Sequence, residues 1–63
     1  MDFAKNLKTI LDKKNIKNID LSKALKIDRS NITKYLNGQK MPNYETLEKI
    51  KNYLECSYDD LLK

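Results

Sequence analysis

The 63-residue sequence contains no histidine, no tryptophan, one cysteine, one glycine and one proline. Each shortage excludes a kind of chemistry. Without histidine there is no imidazole to act as general acid or base, and no zinc site of the Cys–His type. A single cysteine cannot close an internal disulfide, so the chain is not a disulfide scaffold. No apolar run exceeds two residues, which is too short for a membrane span or a signal-peptide core. One glycine makes no glycine-rich phosphate loop, and no nucleophile stands beside a base. Asp59-Asp60 looks like a carboxylate pair, but adjacent positions on a helix point apart. These absences leave no room for a catalytic, cofactor or metal site. The expectation is a soluble, cytoplasmic protein that makes no use of a membrane.

What is present suits one small folded unit. Hydrophobic residues make up 40% and charged residues 35%. That ratio fits a globule with a solvated shell, and no long polar tract argues for disorder. A chain of this length buries only about 60% of its unfolded surface, so residues 1–63 are expected to form a single domain. The net charge of +4 is unevenly spread. Residues 1–40 hold ten Lys or Arg against four Asp or Glu, and residues 41–63 hold three against five. A basic front with an acidic rear favours polyanion contact through one face. Charge alone does not separate such contact from a lysine coat on a soluble helical protein.

Apolar spacing predicts five short helices and no strand. Phe3, Leu7, Ile10 and Leu11 form one stripe on a helix from Phe3 to Lys13, with Asp2 as its N-cap. Asn15 is suited to the left-handed residue that ends it. Leu21 and Leu25 mark a second helix over Asn18–Leu25, where the small Ala24 would let a neighbour approach. Lys26 and Ile27 form a turn, with Ile27 expected to plug the core beneath it. Asp28 is placed to cap a third helix, Arg29 to Asn37, whose apolar residues are Ile32, Tyr35 and Leu36. Gly38 can take the positive φ needed at its end, and Pro42 keeps Met41 out of a helix. A fourth helix, Tyr44 to Leu54, presents Leu47, Ile50 and Leu54, with Tyr53 beside them and Asn43 as cap. Ser57 and Asp60 have capping-box spacing at the head of a last short helix. There Tyr58, Leu61 and Leu62 serve either as core or as a patch for self-association.

Residues 17–42 carry the functional signal. Two short helices across a three- to four-residue turn form the unit that lays its second helix in a DNA major groove. The outer side of that second helix offers Arg29, Ser30, Asn31, Thr33, Lys34 and Asn37. Such side chains donate to phosphates and read base edges.

The order LSKALKID, RSNITKYLNG, P, YETLEKIKNYLECSYDDLL resembles the Cro and lambda-repressor-like helix-turn-helix family, the xenobiotic-response-element type. The likeness spans Phe3 to Leu62. Leu21-Ser22 stand where the family has Leu-Ala, Ile27-Asp28 where it has Val-Ser, and Ile32-Thr33 where it has Ile-Ser. Gly38, Pro42, Leu47, Ile50, Leu54, Ser57 and Leu61 also match, and Cys56 falls at a valine position. Three departures stand out: Asn18 replaces a common glutamine, Lys26 a common turn glycine, and Leu36 a frequent glutamate.

The resemblance implies an all-α bundle of five helices and a sequence-specific regulator of transcription, of the repressor type found in phage or mobile elements. It implies base reading by Arg29, Ser30 and Lys34. Asn31 and Thr33 flank that face, and Asn18, Asn37, Gln39 and Lys40 are placed for phosphates. The partner is double-stranded DNA, a pseudo-palindromic operator bound by a homodimer held through Tyr58, Leu61 and Leu62. The alternative is a protein-interaction module, or an antitoxin that holds a protein through the same bundle.

Overall fold

A computed structural model describes residues 2–63. Among them the chain runs α1 (Phe3–Lys14), α2 (Asn18–Leu25), α3 (Arg29–Leu36), α4 (Tyr44–Leu54) and α5 (Tyr58–Leu62), with no strand. The fold is an all-α bundle. Its apolar stripes converge on one cluster: Phe3, Leu7 and Leu11 from α1, Leu21 from α2, and Ile32 and Tyr35 from α3 meet Leu47, Ile50 and Leu54 from α4 and Leu61 from α5. Helix α1 packs on α3 and α5, while α2 packs on α3 and α4. The radius of gyration is 10.2 Å, as expected of a fully packed chain of this length, roughly 10–11 Å.

Three helices end by one device. Asn15, Lys26 and Glu55 each adopt φ between 53° and 59°, and each is followed by a half-buried apolar residue, Ile16, Ile27 or Cys56, packed on the core. At α1 the Ile16 N–H returns to the Leu11 carbonyl at 2.9 Å, and at α4 the Cys56 N–H returns to Lys51 at 3.2 Å. The left-handed residue reverses the chain so that the next side chain folds under the helix end. Burial raises the pKa of the Cys56 thiol, and the nearby Asp60 carboxylate adds to the rise.

Cap geometry sorts the expected N-caps. Asn43 (ψ 174°) accepts from the Thr46 N–H, and Ser57 (ψ 165°) accepts from the Asp60 N–H. Asp60 returns a bond to the Ser57 N–H at 3.0 Å, completing the capping box. Asp2 and Asp28 cap nothing with their side chains. Neither side chain bonds a first-turn N–H group. Only their backbone carbonyls enter the helices, as at Ile32 N–H to Asp28 O, 3.1 Å.

Other expectations are corrected by packing. Ala24 is exposed rather than at a helix crossing. Tyr53 is 41% exposed, at the edge of the α4 stripe. Asn37 terminates α3 instead of belonging to it. Leu61 is fully buried in its own fold, so it cannot serve a dimer contact; Tyr58 and Leu62 are half-buried against the same core.

Candidate nucleic-acid interface

Helix α3 owes its position to its apolar side. Ile32 and Tyr35 are buried, and Leu36 packs against the core. At about 100° per residue, Ser30, Lys34 and Asn37 fall roughly opposite Ile32, and all three are exposed. Arg29 and Thr33, also exposed, lie on one flank of that face. Asn31, half-buried, lies on the other.

The turn ahead of α3 is fixed by two residues of modest appearance. The Ser22 hydroxyl donates to the Ile27 carbonyl, while the Ile27 N–H donates to the Ser22 carbonyl at 3.1 Å. Between them Lys26 takes φ 56° and ψ 43°, the conformation a glycine would supply without a steric cost. The reciprocal Ser22–Ile27 pair holds this turn and so the hand-over from α2 to α3.

The end of α3 is a Schellman motif. The Gly38 N–H reaches Tyr35 O at 3.4 Å and the Gln39 N–H reaches Lys34 O at 2.9 Å, with Gly38 at φ 76°. This reversal brings Gln39 and Lys40 back beside α3. Lys40 Nζ then donates to Asn31 Oδ1 at 3.4 Å.

Asn18 at the start of α2 is brought together with Thr33 of α3 and Asn37 at its end. They line one cleft of about 270 Å³ with Lys8 and Asp12 of α1 and the apolar Ile16 and Leu36. The cleft adds Lys8 to the residues read from sequence. Nothing in the α1 sequence marked it, because only the packing of α1 on α3 puts it there.

The cations of this face are available to a polyanion. Among the described residues the one ion pair is Lys63–Asp59, at 3.8 Å, and it involves no residue of α3. Arg29, Lys34 and Lys40 are exposed without a carboxylate partner among those residues. Asp28, exposed beside Arg29, opposes phosphate approach but favours the positive end of the α3 dipole. Among the described residues no group of three His, Cys, Asp or Glu is placed to hold a metal, and no helix of those residues is long and apolar enough to cross a membrane.

Searches of curated proteins and of solved structures each gave no significant match. A family model does match. The helix pair joined by the Ser22–Ile27 turn, with the polar side of α3 turned outward, lies within residues 6–63, over which the Cro/C1-type HTH DNA-binding domain model matches, and the chain belongs to that DNA-binding helix-turn-helix family.

Proposed function

We propose that residues 1–63 act as one cytoplasmic repressor domain of phage or mobile-element type, reading an operator through the major groove with α3. One observation carries the proposal: Ser30, Lys34 and Asn37 stand exposed on the side of α3 opposite buried Ile32. In this reading Arg29, Ser30 and Lys34 contact base edges, since the first turns of a recognition helix approach them most closely. Arg29 has the fork geometry for guanine O6 and N7. Asn18, Thr33, Asn37 and Gln39 hold phosphates, with Lys8 adding charge to the cleft they border. Asn31 and Lys40 also face the duplex.

The operator is a pseudo-palindrome bound by two copies, with half-sites about 34 Å apart. The rear of the molecule supports such pairing. Tyr44 is 70% exposed, and its ring stacks on Tyr58 with centroids 6.2 Å apart. Lys51 Nζ lies 5.1 Å from the Tyr58 ring centre. This patch offers exposed aromatic area that buried Leu61 does not.

Selection of bound duplexes from a random library tests the proposal. Enrichment of a two-fold symmetric site is expected, with log K falling steeply against log salt. Failure to enrich any duplex at low salt overturns it.

A further inference from the structure

Asn31 and Lys40 are nine positions apart, yet the Schellman reversal at Gly38 sets the Lys40 ammonium against Asn31 Oδ1 at 3.4 Å. This has a consequence for what Asn31 can read. An asparagine recognises adenine by using both ends of its amide, Oδ1 accepting from N6 and Nδ2 donating to N7. Here the accepting end faces a cation. That oxygen has two lone pairs; the ammonium takes one, so an adenine N6 amino group must use the other beside a cation that repels it. What remains for the base is chiefly Nδ2, with two N–H donors. Guanine shows two acceptors in the major groove, N7 and O6, and no donor there. Asn31 sits in the first turn of α3, the part of a recognition helix that comes nearest to bases.

We propose that Lys40 and Asn31 form a single unit that turns the donor end of the Asn31 amide to the base and favours guanine over adenine at one base pair of each half-site. The proposal rests on the DNA-binding reading above and deepens it. Lys40 is thereby a positioning residue: it fixes which end of the Asn31 amide faces the base. Its charge also draws phosphate, but a phosphate role alone is blind to sequence.

The test is duplex selection with four proteins: wild type, Lys40→Met, Asn31→Ala, and the double variant. Lys40 is exposed and Asn31 half-buried, and circular dichroism verifies that each variant stays helical. Wild type is expected to prefer guanine over adenine roughly tenfold or more at one position. Lys40→Met frees Oδ1 and moves that position toward adenine, leaving the other positions unchanged. Asn31→Ala flattens the same position, and adding Lys40→Met to it changes the preference there no further. If Lys40→Met instead weakens every sequence alike with an unaltered profile, Lys40 is a phosphate contact only and the unit does not exist. Wild type selecting adenine at that position also overturns it. Absence of any enriched duplex with wild type is a different failure, and it removes the DNA-binding reading itself.

Discussion

The Asn6 amide donates to the Leu61 carbonyl at 3.0 Å, joining α1 to α5 across 55 positions. A carbonyl in the last turn of a helix has no partner within that helix. Helix α5 has five residues, too few to persist without tertiary support. Its place depends on Leu61 in the core, on the Ser57–Asp60 capping box, and on this bond. Asn6→Ala leaves the partly buried carbonyl unsatisfied, a loss of about 1–3 kcal/mol. The better helix propensity of alanine recovers at most about 0.7 kcal/mol. The net expectation is a fall of roughly 4–8 °C in melting temperature per kcal/mol lost, read by circular dichroism. An unchanged melt would show that the bond contributes nothing.

The left-handed C-termini predict an order of stabilising substitutions. A non-glycine residue in that conformation costs roughly 1–2 kcal/mol, whereas asparagine is the residue that tolerates it best. Glu55→Gly and Lys26→Gly are therefore expected to stabilise by about 1 kcal/mol, and Asn15→Gly by clearly less. Chemical denaturation of the three variants gives the ranking. Equal gains at all three sites would refute this account of their strain.

Gly38→Ala should destabilise by about 1 kcal/mol. The cause is backbone conformation at φ +76°, because an added Cβ would meet Ala4 Cβ at 3.9 Å, an ordinary contact. Gly38→Asn should lose less than Gly38→Ala. A steric origin would reverse that order, since asparagine is the larger residue.

On DNA, Arg29→Ala and Asn18→Ala should differ in kind. Arg29→Ala is expected to relax specificity at one base pair by roughly 1–3 kcal/mol. Asn18→Ala removes a neutral phosphate donor, so it should weaken all duplexes alike and leave the salt slope where it was. Competition titrations at two salt concentrations distinguish them. Uniform weakening by Arg29→Ala would remove it from base reading.

Acid should act on the cap of α5. Backbone and side-chain hydrogen bonds from Ser57 hold the Asp60 carboxyl below the ordinary aspartate range. A depressed folded pKa means that the carboxylate contributes stability above its unfolded pKa of about 3.9, and loses it as pH falls through the lower folded value. The advantage of wild type over Asp60→Asn is thus expected to be full at neutral pH, to begin to fall near about pH 4 and to be gone only below the lower folded pKa. A difference in melting temperature that is flat with pH would disprove the assignment.

Much of the fold was legible because it rests on local rules. The stripe Phe3, Leu7, Leu11 has helical period, and Ser57 with Asp60 has cap spacing, so both predict structure without knowledge of neighbours. Asp28 shows the limit of such rules. Its residue type suits a cap, yet its side chain bonds no first-turn N–H group, because residue type does not fix the rotamer that a cap requires. Tyr53 and Ala24 show another limit. Both lie at the margins of their helices' stripes, and whether a margin is covered depends on which helix packs there.

At the proposed DNA face the same division holds. The residue types along α3, the buried set Ile32 and Tyr35, and hence the outward side carrying Ser30, Lys34 and Asn37, follow from the order of amino acids, because period and polarity decide which side of a helix leaves water. The sequence does not state that Lys40 reaches Asn31, that Lys8 joins Asn18 in one cleft, or that Asn6 closes the bundle on Leu61. Those contacts join positions separated by loops or whole helices. Their distances depend on how the chain reverses at Lys26 and Gly38 and on how α1 lies across α3 and α5, which tertiary packing alone decides.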